Sequence, residues 1–273
     1  MSRLALFAIP LALTVAGVSH AQETPVASPT QVSTTSPAPL PALTPRQAAE
    51  MHADILMARK EYTEAINAYS QILSTEPKNA VLLNKTGVAC QQFGDLNRAG
   101  RFYRKSMKAD KTYASAVNNL GTVEYEKKHY GNSITLYKKA LALHTDMSTI
   151  YSNLGYAYFG NKEYPEAMES FRKALEIDPL VFERRSGTGT IVQQRTTTDP
   201  GLFYFFVAKS YAGIGDAERT AHYLKLARDD GYKNFLSAAQ DPAFAKVIRD
   251  PRVQEVLQVP PSYAGDAKTP PTN

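Results

Sequence analysis

YSNLGYAYFGNKEYPEAMESFRKALEIDP, residues 151–179, decides the fold. In its first half Tyr151, Leu154, Gly155 and Tyr158 recur at steps of three and four, the spacing of one helical face. Gly160, Asn161 and Lys162 then break the pattern with turn-forming residues. Ala167, Phe171, Ala174 and Leu175 carry a second apolar stripe. Pro179 ends it, because proline lacks a backbone donor and clashes with the preceding turn. The spacing predicts two short amphipathic helices joined by a tight turn. Gly155 and Ala167 let the two backbones approach, and Tyr158 and Phe171 fill the wedge beside them. Such a pair cannot bury both faces alone. It needs a neighbour of the same shape on each side.

Those neighbours are present. Gly155 is preceded at steps of 34 residues by Gly121, Gly87 and Ala53. In the same register Phe171 follows Tyr137, Tyr103 and Tyr69, and Ala167 follows Ser133, Ala99 and Ala65. Two small residues and an aromatic thus return four times in one period. With this period and helix–turn–helix pattern, residues 46–179 resemble four tandem tetratricopeptide repeats, at 46–79, 80–113, 114–147 and 148–181. Cys90 and Glu124 stand where that family usually carries an aromatic, and two repeat ends lack proline. The resemblance implies an all-α fold, an α-solenoid whose tandem units wind into a right-handed superhelix.

The flanks read differently. Residues 1–21 have Arg3, an apolar run from Leu4 to Val18 and small residues at Ser19 and Ala21, the pattern of a secretory signal peptide cleaved after Ala21. The chain is therefore expected to be exported, to the periplasm or outside the cell, with no membrane span after cleavage. Residues 22–44 are rich in Pro, Ser and Thr and read as a disordered linker. Thr44-Pro45 is a cap followed by a first-turn proline. Asn79, Asp110 and Asp146 are expected before later first helices, and Gly94-Asp95 and Gly131-Asn132 in turns between helices.

After Pro179 the period fails. Residues 180–200 read as an insertion, with a small hairpin from 190 to 197 and positive charge from Arg184, Arg185 and Arg195. Gly187 and Gly189 lack the Lys-Ser/Thr ending of a phosphate loop. A fifth helix pair is expected over 201–231, where Ala208 and Tyr211 repeat the spacing of Gly155 and Tyr158. Asp241-Pro242 and Asp250-Pro251 predict two short capping helices within 232–258. This ending resembles a closing segment found after arrays of the same family. Residues 259–273 read as a disordered tail.

No constellation for catalysis stands out. His20, His52, His129, His144 and His222 show no metal-ligand spacing, and no nucleophile turn of the Gly-x-Ser-x-Gly type occurs. No cofactor and no metal are expected. The single cysteine, Cys90, permits no internal disulfide and reads as a small buried hydrophobe. Losing residues 1–21 removes Arg3 and no acid, so the net charge falls from +5 to +4. That is weak for nucleic acid, and export argues against it as well. The expectation is a non-catalytic scaffold.

The resemblance further implies that first helices line a concave face that binds a partner. On it would lie Asn84, Lys85, Asn118, Asn119, Ser152 and Asn153, with Thr122, Tyr125, Tyr156 and Phe159 on the next turn. Asparagines repeated along a groove can hydrogen-bond an extended peptide backbone, and some family members carry such a ladder. Here it is partial: Asn119 and Asn153 match, Lys85 replaces one rung, and Met51 stands in the first repeat. The family's clamp for C-terminal carboxylates needs several cations, and only Lys85 is near. The expected partner is a protein or peptide in envelope assembly or secretion. Self-association through an end or through the insertion is the second reading.

Overall fold

Five helix pairs follow one another. They are α1 (Pro45–Ala58) with α2 (Tyr62–Thr75), α3 (Ala80–Gln92) with α4 (Leu96–Ala109), α5 (Ala114–Glu126) with α6 (Tyr130–Leu143), α7 (Ser148–Gly160) with α8 (Tyr164–Ile177), and α9 (Pro200–Ile214) with α10 (Ala217–Asp229). A last helix, α11 (Pro251–Gln258), closes the series. The computed structural model describes residues 43–144, 147–183 and 199–258. The expected signal peptide, the linker up to residue 42, Asp146, the proposed hairpin with Arg184, Arg185 and Arg195, and the tail from residue 259 lie outside the described residues. Among the described residues there is no strand, and each helix packs on the one before and the one after, forming an α-solenoid with a C-terminal helical cap.

The helix ends explain the pairing. Thr44 accepts from the Gln47 backbone amide at 3.2 Å while the Gln47 side chain accepts from the Thr44 amide at 2.9 Å, a reciprocal capping box with Pro45 at the first helical position. Asn79 caps α3 by accepting from the Leu82 amide at 3.0 Å. Asp110 does not cap α5. It accepts from the Thr112 amide at 2.8 Å and turns the chain before Tyr113.

Every first helix ends in the same Schellman motif. The amides of Glu61, Asp95, His129, Glu163 and Asp216 reach back to the carbonyls of Leu56, Cys90, Glu124, Tyr158 and Tyr211, at 2.9–3.1 Å. The residue before each of those amides takes a positive φ: Lys60 at 63°, Gly94 at 92°, Lys128 at 62°, Lys162 at 64° and Gly215 at 85°. The Gly131-Asn132 pair is therefore not the turn. It lies in the first helical turn of α6, and Lys128 supplies the left-handed residue one position earlier than α6's own cap. A left-handed conformation costs a non-glycine residue roughly 1–2 kcal/mol. Glycine's extra freedom in the unfolded chain takes back roughly 0.5–1 kcal/mol. Lys128→Gly is thus expected to raise stability by about 0.5 kcal/mol, read as a higher urea midpoint at unchanged slope.

Close approach of paired helices depends on the small residues. A Cβ at Gly155 would sit 2.4 Å from the Phe171 ring, at Gly121 2.7 Å from Tyr137, and at Gly87 2.5 Å from Tyr103. The α1–α2 pair, which carries Ala53, packs less closely than these three. Phe171 is fully buried, with ring centroids of Phe182 at 5.3 Å, Tyr156 at 5.5 Å and Phe203 at 5.9 Å. Phe203 belongs to α9, so the stack runs on from α8 to α9 although the period of 34 ends at Pro179.

The end of the stack is covered by Phe235, Ala238, Phe244, Val247 and Val253, all buried. Two short capping helices are expected there. The second is the α-helix α11, and the first is wound more tightly. After Asp241-Pro242 the chain makes a single 3-10 turn, Pro242–Phe244, and another lies earlier at Phe235–Ala239. Buried residues three apart, Phe244 and Val247, suit the tighter winding, and the Val247 amide bonds the Phe244 carbonyl at 2.9 Å.

Candidate functional site

First helices α3, α5 and α7 bring one face together. Asn84, Asn118 and Ser152 share a register, and Lys85, Asn119 and Asn153 follow one residue later. The amides form a directed chain across all three helices. Asn153 Nδ2 donates to Asn118 Oδ1 at 3.0 Å, Asn118 Nδ2 to Asn119 Oδ1 at 3.1 Å, and Asn119 Nδ2 to Asn84 Oδ1 at 3.0 Å. Polar groups are kept out of water only when bonded, and this chain satisfies that condition.

The ten side chains expected on an open concave wall are not free in solvent. Asn84, Asn118, Asn119, Thr122, Tyr125, Ser152, Asn153, Tyr156 and Phe159 are buried, and Lys85 alone is half-buried. The amides hold the first helices to one another. Thr122 Oγ1 lies 3.1 Å from the Tyr137 hydroxyl. Tyr125 meets the Tyr130 ring edge-on at 5.3 Å. Tyr156 stacks on Phe203 at 5.1 Å, and Phe159 contacts Phe203 and Phe206 at 5.5 and 6.0 Å, so both serve the α7–α9 junction. Among the described residues, none is a hydrogen-bond partner of the Ser152 hydroxyl, which is fully buried at the same register.

Lys85 is already neutralised. Its Nζ lies 2.7 Å from Glu50 and 2.8 Å from Asp54 on α1. Arg46 adds ion pairs to Glu50 and to Glu76, the latter at 2.7 Å, and the Tyr69 hydroxyl donates to Asp54. These acids were missed in sequence reading, although Arg46, Glu50 and Asp54 share a helical face at steps of four. Partial burial works against the Lys85 ammonium, but hydrogen bonds to Asp54 and Glu50 outweigh it and raise its pKa. The hydrogen bond from Lys85, with that from Arg46, holds Glu50 below its ordinary value. The bond from Arg46 takes Glu76 from 4.5 down to about 2.

Depressed carboxylate pKa values stabilise the fold above the unfolded value and cease to do so as pH falls through the folded one. The α1 attachment is thus expected to be at full strength above pH 4.5 and to weaken toward pH 2. Amide exchange in α1 at pH 5 and pH 3 checks this, with faster exchange at the lower pH after correction for intrinsic rates. High salt should mimic part of the effect, because these groups are only partly buried and solvent ions reach them.

Cys90 is buried against α4, and burial pushes its thiol pKa up. Among the described residues, no group of three or more His, Cys, Asp or Glu is placed to hold a metal ion. No described helix is long and apolar enough to cross a membrane.

Comparison with known proteins settles the family. Models of the tetratricopeptide repeat match residues 50–114 and 148–179, and a further TPR repeat model matches residues 121–162. The stack is a tetratricopeptide repeat array. The co-chaperone sgt12 of heat-shock protein cognate, from Aspergillus fumigatus, is 32% identical over 74 residues, 27% of this chain and 22% of that protein. The chain thus spans about a fifth of that relative's length. The structure of pilF from Pseudomonas aeruginosa is similar at a TM-score of 0.51 and 20% identity, over 78% of this chain and 86% of that one. MamA from Desulfovibrio magneticus RS-1 gives a TM-score of 0.49 and 18% identity, over 68% and 95%. At these identities the structural likeness is one of fold. The tetratricopeptide array here departs from its own period at two places that matter: the α9 aromatics that claim Tyr156 and Phe159, and the acids that claim Lys85.

Proposed function

We propose that this tetratricopeptide array is a non-catalytic scaffold that takes a peptide segment of a partner protein along the α3–α5–α7 face. Its place is the periplasm or the cell exterior, in envelope assembly or secretion, a reading that rests on the signal-like residues 1–21. The observation that supports the peptide face is the Ser152 hydroxyl. It continues a column of hydrogen-bonded amides yet is the member the array leaves unused. An unsatisfied buried hydroxyl costs roughly 1–3 kcal/mol, and of the two such hydroxyls among the described residues, Ser133 on α6 and Ser152 on α7, only Ser152 lies at the register of the amides. A peptide carbonyl or amide laid along the amides completes it. Because the column is out of solvent in the free chain, a bound segment has to part the side chains above it. Association is then expected to be slower than the ordinary lower bound of about 10⁵ M⁻¹s⁻¹.

Selection of displayed random dodecapeptides on the full chain, followed by isotherms on a Ser152→Ala variant, tests this. The variant is expected to be as stable as the parent or more so, and to bind selected peptides about fivefold more weakly, the equivalent of roughly 1 kcal/mol. No enrichment, or equal affinity for parent and variant, contradicts the peptide face.

Self-association through the first-repeat end has an observation of its own. Ile55 is 40% exposed, whereas Ala89, Val123 and Ala157 at the same register are fully buried. Met51 beside it is 48% exposed. Sedimentation of the chain at high concentration decides it: a strict monomer excludes this reading.

A further inference from the structure

Helix α4 carries charge that the repeat does not require. Arg98, Arg101, Arg104, Lys105 and Lys108 lie on its outer face, all exposed except the half-buried Arg98, and no acid lies within the helix. The array supplies its own control. At the same five registers α2 has Glu64, Asn67, Ser70, Gln71 and Ser74, a net −1. Helix α8 has Glu166, Glu169, Arg172, Lys173 and Glu176, again −1, with Arg172 and Lys173 paired to Glu169, and α6 has Asn132, Thr135, Lys138, Lys139 and Ala142, a net +2. What packing needs at these positions is a solvated side chain of either sign, whereas α4 holds five cations at steps of three and four, where like charges repel. Among the described residues only Arg104 has a carboxylate in reach, Glu124 at 3.6 Å.

The stripe is also organised. Arg98 and Lys105 sit over the Phe102 ring, at 5.9 and 5.5 Å from its centroid, which fixes two cations along the helix. Lys127 extends the charge from the next repeat by donating to Asn97 at 2.9 Å. From residue 98 to 108 the cations span roughly 15 Å at 1.5 Å per residue.

The geometry points to α4 as a second docking surface, on the other member of the helix pair from the peptide face, for an acidic polypeptide segment of a partner. Three arginines three residues apart present planar forks that take carboxylates in two-point contacts. The chain itself holds no such occupant: its longest acidic run is Asp229-Asp230, and α10 already places those at its own end. A lipid surface fits less well, because the neighbouring α2 presents Glu64 at the same register. Single-stranded nucleic acid fits less well too, because the ring available for stacking, Phe102, is occupied by its two cations.

Fluorescence anisotropy with a labelled decamer of glutamate tests the proposal on the full chain. Binding is expected at 50 mM NaCl and to weaken at least tenfold at 200 mM, and a glutamine decamer is expected not to bind. Arg98→Glu/Arg101→Glu/Lys108→Glu installs the residues α8 already carries at these registers, so the fold should accept it. It is expected to lose at least tenfold in glutamate-decamer affinity and nothing toward peptides selected on the other face, while Ser152→Ala shows the reverse pattern. Carbodiimide crosslinking of the decamer to the parent protein, mapped by mass spectrometry, is expected to mark Lys105 and Lys108 and stands independently of how the variant folds. Absence of decamer binding, equal binding by the variant, or crosslinks elsewhere overturns the proposal. Tighter binding to phosphatidylglycerol vesicles or to an oligothymidine than to the decamer overturns the choice of a polypeptide.

Discussion

Phe171→Ala is expected to lower stability by about 3–5 kcal/mol, the cost of deleting a fully buried aromatic from a site that cannot collapse. The surroundings argue for the upper part of that range. Tyr156, Phe182 and Phe203 all contact the ring, so contacts to two neighbouring helices and to the segment after α8 are lost together. Gly155 beneath it adds nothing to refill the space. A drop of about 10 °C in melting temperature follows for an array of this size. Because stability in a solenoid is passed between neighbours, the loss should be local. Hydrogen exchange is expected to accelerate in α7, α8 and α9 and to change little in α1 and α2. A uniform acceleration over the whole chain would instead show a single cooperative core.

Asn118→Leu is expected to cost about 3 kcal/mol, because Asn118 is both donor and acceptor within the amide chain. The change removes two hydrogen bonds and places methyl groups among buried amides. Replacing Asn84, Asn118, Asn119 and Asn153 together by leucine removes both ends of the three amide–amide bonds, and losing both partners of a hydrogen bond is often close to neutral. The fourfold variant should therefore recover much of the single variant's loss in urea denaturation. It should still fail to bind peptides selected on the parent. Recovery of stability together with retained binding would show that the amides serve packing alone.

The period was legible because its signal is steric. Only a very small residue fits where Tyr103, Tyr137 and Phe171 lie against a first helix, so Gly87, Gly121 and Gly155 announce the pairing by themselves. The left-handed lysines were not legible: Lys128 and Lys162 carry no side-chain signature of positive φ, and nearby glycine at 131 drew the turn to itself. The burial of the candidate face was hidden for a different reason. Asparagine is polar, and the partner that lets it go inside is 35 residues away in sequence, as Asn84 is from Asn119. Tyr156 and Phe159 looked available because the aromatics that cover them, Phe203 and Phe206, come after the period has ended. The α4 stripe was present in the sequence as part of a small net charge. It became a feature only when the register showed the same positions at net −1 in α2 and α8 and at +2, with two lysines, in α6.

The side-chain amide resonances of Asn118, Asn119 and Asn153 test the central claim most directly. In a heteronuclear spectrum of the full chain, titration with a selected peptide is expected to shift all three, together with backbone amides of α5 and α7 around Ser152. Resonances that stay fixed at saturation, with shifts confined to α10, α11 or the turns, would contradict a peptide seat on the first helices.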